Sequence, residues 1–267
     1  MKNLSKRFLA LAPLAALAGC GDPGGDINKI NHVVVIYLEN HSFDNLYGEF
    51  DGAENLSKAT ASQWTQVDAN GTTYTTLPQP YNTTAKAVDT RFPSDLANKF
   101  FNIDQYVPTN QATGDLVHRW YQQQMQIDGG KMDKFAAVSD AKGLSLGYYH
   151  TAGLPLAEEA KKYTLCDHFF HAAFGGSFLN HIWLIAAQSL VFPDAPTSAK
   201  ATVDANGNMV TDGTVTPDGY VVNTSFSVNK PLPASYDPAK LVPNQTLPNI
   251  GDRLSEAGKS WAWYSGG

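Results

Sequence analysis

The sequence predicts an α/β fold with a mainly parallel central sheet flanked by helices, and three observations support this prediction. Three segments, 33–38, 163–170 and 260–264, are predicted as buried strands, and the first is a continuous apolar run without polar alternation, which is typical of a strand buried on both faces. Helical patterns lie between these segments, as in a chain that alternates strands and helices. Residues 191–248 hold turn signals and short Val, Thr and Tyr segments, which predict a β-rich insertion.

Composition places the chain among ordinary globular proteins of acidic character. It has 267 residues, a formal net charge of −6 and 43% hydrophobic residues. This length is enough for one large domain or two small ones. A nucleic-acid partner requires a basic surface that neutralises phosphates, and the chain has no basic surplus. We therefore expect no nucleic-acid partner.

The first twenty residues are typical of an export signal rather than a folded element. Lys2, Lys6 and Arg7 precede an apolar stretch, 8–18, that is too short to span a membrane. The sequence Leu-Ala-Gly-Cys that follows resembles the end of the bacterial lipoprotein signal, in which the cysteine is acylated. The resemblance implies a lipid anchor at Cys20 and a place in the bacterial cell envelope, in the periplasm or on the outer surface. An ordinary cleaved signal with a chance cysteine is the alternative.

The domain boundaries follow from these segments. Residues 1–20 form the lipoprotein-type signal, residues 21–30 a short linker, and residues 31–267 one domain that includes the insertion at 191–248. The alternation of strands and helices is regular up to the last predicted strand, which would be an exposed apolar edge if it ended the sheet. We therefore expect residues 31–267 to be the amino-terminal part of a longer domain.

Apolar periodicity and end signals predict six helices. The first is short, with Ser42 as its N-cap and Gly48 at its end, and Pro155 begins the fourth. The motif Val-Asp-Ala-Asn-Gly occurs at 67–71 and again at 203–207, and its Asn-Gly pair is typical of a tight turn. The predicted helices span 43–47, 111–128, 132–138, 156–163, 178–190 and 249–258.

Two polar residues follow the first predicted strand directly. Glu39 and Asn40 lie at its carboxyl end, where open α/β sheets place their ligands. A carboxylate and a carboxamide offer hard oxygen ligands, which suit a divalent cation. These residues predict one side of a metal site, and a turn with a solvated carboxylate is the alternative.

A hydroxyl group with catalytic potential lies where the fifth predicted helix begins. Gly175 and Gly176 let the backbone approach a ligand closely, and Ser177 follows them. The N–H groups and positive dipole end of a helix N-terminus bind phosphate and stabilise an alkoxide. Ser177 is therefore well placed to attack phosphorus, and the alternative is that it only caps the helix.

Three motifs resemble the bacterial phosphoesterase family that contains phospholipases C and certain acid phosphatases, within the alkaline-phosphatase-like superfamily. The first, at 39–48, is Glu-Asn-His-Ser-Phe-Asp-Asn-Leu-Tyr-Gly. The second, at 175–181, is Gly-Gly-Ser-Phe-Leu-Asn-His, and the third, at 114–120, is Gly-Asp-Leu-Val-His-Arg-Trp. The resemblance covers almost all of residues 30–267.

The resemblance implies a fold and a role for each site residue. The fold would be the alkaline-phosphatase-like sandwich, Glu39 and Asn40 would bind one divalent metal ion, and Ser177 would form a phosphoserine intermediate. His118 would contact the phosphate, and a structural helix histidine is its alternative. In this family an acidic pair that completes the metal site follows the stretch present here. We therefore expect this stretch alone to bind metal poorly.

Three functions remain open at this point. The first is an acid-phosphatase-type phosphomonoesterase, because the phosphatase branch of the family commonly has serine at the position of Ser177. The second is a phospholipase C, which cleaves a diester, because that branch belongs to the same family. The third is a non-catalytic envelope lipoprotein that binds a ligand.

Overall fold

The structure is a computed structural model that describes residues 29–264, so the predicted signal and its cysteine lie outside the described residues. Within the described residues, those up to Leu38 and those from Glu39 onward belong to two different units. None of the helices in residues 29–264 is both long enough and apolar enough to cross a membrane. The α-helices of this part are α1 (Phe43–Tyr47), α2 (Ala61–Trp64), α3 (Trp120–Ile127), α4 (Phe135–Val138), α5 (Pro155–Ala160), α6 (Ser177–Ala186) and α7 (Ile250–Glu256).

Short strands pair two by two within the described residues. Three pairs are antiparallel and one is parallel. The antiparallel pairs are β1 (Tyr81–Asn82) with β2 (Ala87–Val88), β5 (Leu190–Val191) with β8 (Tyr220–Val221), and β6 (Thr202–Val203) with β7 (Met209–Thr211); the parallel pair is β3 (Phe101–Asn102) with β4 (Gly147–Tyr148). Mixed helices and strands agree with the predicted α/β class. The predicted mainly parallel central sheet does not form among the described residues, because their strands are short and pair only two by two. The alkaline-phosphatase-like sandwich stays a prediction.

The three segments predicted as buried strands, 33–38, 163–170 and 260–264, form no strand, so these predictions are wrong. Their apolar side chains are exposed, by 81% at Phe170 and 91% at Tyr264. A strand is held by hydrogen bonds to a neighbouring strand, and none of the strands in residues 29–264 pairs with these segments. An apolar run shows that a segment is able to form a strand, but its burial depends on neighbours.

The predicted helix at 111–128 begins only at Trp120. The preceding backbone is bonded to other parts of the chain: Asp140 accepts from the Val117 N–H at 2.8 Å, and Asn223 accepts from the Trp120 N–H at 2.8 Å. Arg119, the N-cap residue, has extended dihedral angles. His118 therefore lies before the helix, so its interpretation as a helix histidine is wrong.

The remaining helices lie close to their predicted positions, because their end signals act locally. The Ser42 hydroxyl accepts a hydrogen bond from the Asn45 N–H at 3.2 Å, as an N-cap does. Asn249 caps α7 in the same way. Gly48 ends α1 as predicted, but its φ of −60° lies in the right-handed region, so its conformation does not require glycine. A Cβ at Gly48 would lie 2.3 Å from the Asp44 carbonyl oxygen, so close packing requires the glycine.

Both predicted Asn-Gly turns form, and they have the same internal bonding. Asp68 accepts hydrogen bonds from the N–H groups of Asn70 and Thr72. Asp204 accepts from Asn206 and Asn208 in the second turn, which joins β6 to β7. The insertion at 191–248 therefore contains antiparallel strands, as predicted.

Two apolar clusters hold the unit that begins at Glu39. The first is formed by Leu77, Phe92, Leu96, Ile103, Val107, Ala136, Ala141, Leu144 and Tyr149. The second is formed by Ala195, Ala199, Val215, Val221 and Val242. Phe178 of α6 packs against the second cluster. The helix that begins at Ser177 is thus anchored to the insertion.

A buried glutamine stabilises α4 from a distant part of the chain. Gln66 is only 1% exposed, and its side-chain oxygen accepts hydrogen bonds from the N–H groups of Phe135 at 2.8 Å and Ala136 at 3.3 Å. Its side-chain nitrogen donates to the Met132 carbonyl at 3.2 Å. The N-cap residue of α4, Lys134, supplies no side-chain hydrogen bond. Gln66 therefore satisfies the first N–H groups of α4, as the side chain of an N-cap residue would.

We expect Gln66→Leu to lower the free energy of unfolding by about 1–3 kcal/mol, because it leaves buried N–H and C=O groups without partners. Urea denaturation measures this loss. The matched control is Gln111→Leu, at an exposed position, where a change of at most about 0.5 kcal/mol is expected. Equal losses in the two variants would contradict the capping role of Gln66.

Candidate active site

Contacts join Glu39, Asn40 and His118 to residues that neighbour Ser177. The Asn40 side-chain nitrogen lies 2.6 Å from His118 Nε2. Glu39 Oε2 lies 3.6 Å from Nε2 of His181, a residue of α6 that follows Ser177 by one helical turn. The Gly176 backbone packs against the His118 backbone. Glu39, Asn40 and His118 therefore form one cluster with the start of α6, where Ser177 is the first residue.

The approach of Gly176 to His118 fixes the position of the proposed nucleophile. A Cβ at Gly176 would lie 2.3 Å from the His118 carbonyl oxygen, although its backbone angles of φ −73° and ψ −177° suit any residue. The glycine is thus required by space rather than by conformation. Ser177 follows directly as the first residue of α6, while Gly176 is the N-cap. The interpretation of Ser177 as a helix cap is therefore wrong.

Asn180 holds the loop that leads to Ser177. It is 6% exposed, and its side chain accepts a hydrogen bond from the Ala173 N–H at 3.2 Å. The same side chain donates to the carbonyl oxygens of Ala173 at 3.0 Å and Gly176 at 3.2 Å. Gln123 of α3 accepts from the Gly175 N–H at 2.6 Å. The loop is thus bonded to both α6 and α3, which preorganises the start of α6.

The insertion supports the segment that carries His118. Arg119 forms an ion pair with Asp212, and Gln122 donates to the same carboxylate at 2.9 Å. Burial raises the pKa of the Asp212 carboxyl, but the hydrogen bonds from Arg119 and Gln122 outweigh burial and hold this pKa below its usual value. Asp212 therefore remains charged at neutral pH and fixes the backbone beside His118.

The contacts of His118 Nε2 indicate how its proton is placed. This atom lies 2.6 Å from the Asn40 nitrogen and 3.3 Å from an Asp115 carboxylate oxygen. An amide nitrogen donates and a carboxylate accepts, so one ring nitrogen cannot serve both. As the Asn40 amide is oriented, its nitrogen donates to Nε2, which assigns the ring proton to Nδ1. The Asn40 carbonyl oxygen then remains available for a ligand.

The site is open to solvent. The side chains of Glu39, His181 and His118 are 46%, 37% and 32% exposed. Charge pairs between groups this exposed contribute little to stability because water screens them. The cluster is therefore accessible from solvent, and its contacts orient groups more than they stabilise the fold.

The oxygen donors of the cluster fit a divalent cation in kind but not in number. Glu39, Asn40 and Ser177 offer a carboxylate, an amide oxygen and a hydroxyl, which are hard ligands. Within residues 29–264, however, no three His, Cys, Asp or Glu side chains lie close enough to hold a metal ion together. Six or more oxygen ligands are usual for such ions. The described residues alone therefore do not complete a metal site.

Sequence reasoning predicted four members of this cluster and missed His181. One signal for it was present, since residues four apart on a helix share a face and Ser177 is four residues before His181. The approach of Glu39 to that face was not visible, because it depends on a contact between residues far apart in the sequence.

Comparison with known proteins adds an independent observation. The model of a family described as the Phosphoesterase family matches residues 30–267. Phospholipase C B of Mycobacterium tuberculosis is 25% identical over 219 residues, which cover 74% of this chain and 37% of the relative. Hemolytic phospholipase C of Pseudomonas aeruginosa is 22% identical over 244 residues, which cover 91% of this chain and 26% of the relative. The chain thus spans well under half the length of these relatives, and no solved structure matches it.

We expect Gly176→Ala to lower the free energy of unfolding by about 1–3 kcal/mol, because the new methyl group overlaps the His118 carbonyl. The NMR signals of the His118 ring should shift as its backbone is displaced. The control is Gly71→Ala, where φ is +88° and space is open. That change costs about 1–2 kcal/mol of backbone strain and should leave the His118 signals in place. Unmoved His118 signals in Gly176→Ala would contradict the contact.

Proposed function

Because the chain belongs to the Phosphoesterase family, we propose that it acts as a phosphoric ester hydrolase through a phosphoserine intermediate on Ser177. The observation that carries this proposal is the network of contacts that joins Glu39, Asn40 and His118 to the start of α6. A hydroxyl, a histidine and oxygen donors near a helix N-terminus are the residue types that a phosphoryl-transfer site uses.

In the proposed first step, Ser177 Oγ attacks phosphorus while the bond from phosphorus to the leaving oxygen breaks. The serine loses its proton, and the leaving oxygen takes one up. The N–H groups in the first turn of α6 face the charge that develops on the phosphoryl oxygens. His118 contacts the phosphate, where it stabilises charge. Water then cleaves the phosphoserine and releases inorganic phosphate.

The fold and the cofactor are part of the same proposal. We propose that the domain has the alkaline-phosphatase-like sandwich and uses one divalent metal ion, for which Glu39 and Asn40 supply part of the ligand set. Such an ion polarises a phosphoryl oxygen when it is bound. Asn40 suits this role because an amide that donates its N–H to His118 keeps its carbonyl oxygen as an acceptor.

We propose a phosphomonoester as the substrate, as in the acid-phosphatase branch. The reason is that this branch commonly has serine at the position of Ser177, to which the resemblance assigns the nucleophile. The second candidate is a phospholipase C activity on phospholipid head groups. It is favoured by the relatives, whose names describe phospholipases C. A non-catalytic lipoprotein that binds a ligand is the third candidate, and it predicts that Ser177 is dispensable.

We expect the full-length protein to release phosphate from a soluble phosphomonoester and Ser177→Ala to lose this activity by a factor of about 1,000 or more, because the nucleophile is removed. Steady-state assays measure both rates. The control is Ser198→Ala, an exposed serine in the insertion, whose activity should equal that of the wild type.

Each of three results would decide between the candidates. Cleavage of phosphatidylcholine without cleavage of the monoester would favour the phospholipase C. Phosphate release that survives Ser177→Ala would show that the nucleophile is wrongly assigned. Absence of any hydrolysis by the full-length protein would leave the ligand-binding lipoprotein.

We also propose that the protein is exported and anchored in the bacterial cell envelope by lipid at Cys20. The proposal is supported by the charged start, the apolar stretch and the Leu-Ala-Gly-Cys ending of residues 1–20. Acyl chains attached to a protein partition into a bilayer, whereas the acidic net charge gives no attraction to anionic lipids.

We expect Cys20→Ser to move the protein from the membrane fraction to the soluble fraction, because it removes the lipid attachment. Cell fractionation and immunoblotting measure this change. The matched control is Cys166→Ser, which alters an exposed cysteine and should leave the protein in the membrane fraction. Retention of the Cys20→Ser variant in the membrane fraction would contradict the anchor.

A further inference from the structure

His181 is a member of the cluster to which the sequence motifs assign no role. It lies one turn after Ser177 on α6, so both residues share one face of the helix. Its Nε2 atom lies 3.6 Å from Glu39 Oε2. The contact therefore joins the helix that carries the proposed nucleophile to the residue that precedes Asn40.

The two neighbouring oxygen donors each face a histidine from a different part of the chain. Asn40 faces His118, which precedes α3, and Glu39 faces His181 of α6. Glu39 is the more mobile of the two by its chemistry, because a glutamate has three rotatable side-chain bonds and this one is 46% exposed. An exposed carboxylate of this kind needs a partner to hold one orientation.

The contact between His181 and Glu39 is suited to orienting a group rather than to stabilising the fold. The distance of 3.6 Å is longer than a hydrogen bond. The imidazole therefore attracts the Glu39 carboxylate electrostatically, through its dipole or its charge. Such an attraction is weak in water, but α6 fixes the backbone that carries the imidazole, so the ring stays within reach of Glu39. The second cluster in turn anchors α6 through Phe178.

We propose that His181 is a positioning residue that holds the Glu39 carboxylate beside Ser177. The proposal rests on the proposed function, since it gives Glu39 a place in the reaction that Ser177 begins. His181 acts through Glu39 and does not touch the substrate.

The test is His181→Ala in the full-length protein, with phosphate release from a monoester as the first readout. Loss of a residue that orients an active-site ligand lowers activity by about 10- to 100-fold, and this loss is expected here with an unchanged unfolding midpoint. His181→Gln keeps an N–H donor near the same place and should recover part of the activity. The matched control is His168→Ala, because His168 lies 3.7 Å from Glu54 in a pair of the same chemistry; its activity should equal the wild type.

A crystal structure of the His181→Ala variant gives a readout that is independent of activity. A Glu39 carboxylate that has moved or lost a single orientation supports the proposal. Lost activity with Glu39 unmoved would overturn it, since His181 would then act on the substrate directly. Full activity of His181→Ala would also overturn it.

The failure of this proposal can be distinguished from failure of the proposed function. A wild-type protein that hydrolyses no phosphate ester, or a Ser177→Ala variant that remains active, removes the proposed function and the role of His181 with it. Loss of activity in Ser177→Ala together with full activity in His181→Ala removes only the role of His181.

Discussion

The contact between the Gly176 backbone and the His118 carbonyl oxygen is the constraint on which the rest of the candidate site depends. A side chain can turn away from a clash, whereas a carbonyl in the main chain moves only if the chain moves with it. The 2.3 Å that a Cβ would leave therefore excludes every residue but glycine without a backbone shift. This contact fixes Ser177 relative to His118, and His118 in turn holds Asn40.

The insertion at 191–248 supports this contact and is not an independent module. Asp212 binds Arg119, and Asn223 accepts from the Trp120 N–H at 2.8 Å. Both bonds act on the residues that directly follow His118. Phe178 packs against the apolar cluster of the same insertion, so the helix on the other side of the contact is held by it as well. The β-rich segment thus fixes both partners of the Gly176–His118 contact.

The parts of the fold that could be predicted from the sequence are those set by neighbouring residues. Ser42 and Asn249 each cap a helix by accepting a hydrogen bond from the N–H group three residues later. The hydrogen bonds of each Asn-Gly turn likewise join residues of the turn itself. The start of α3 could not be predicted, because it depends on Asp140 and Asn223, which lie far along the chain. The same holds for strand pairing, which apolar runs do not specify.

The members of the site were predicted from motifs, but their arrangement was not. Each motif predicted a residue type at a local position: Glu39 and Asn40 after an apolar run, and Ser177 after two glycines. Their proximity depends on long-range contacts, and so does the addition of His181.

The same dependence on distant contacts has a consequence for α4. A helix of four residues does not persist alone, and its first N–H groups are bonded by Gln66, which precedes Phe135 by 69 residues. We therefore expect α4 to become stable during folding only after the chain around Gln66 has docked, since non-local contacts form late.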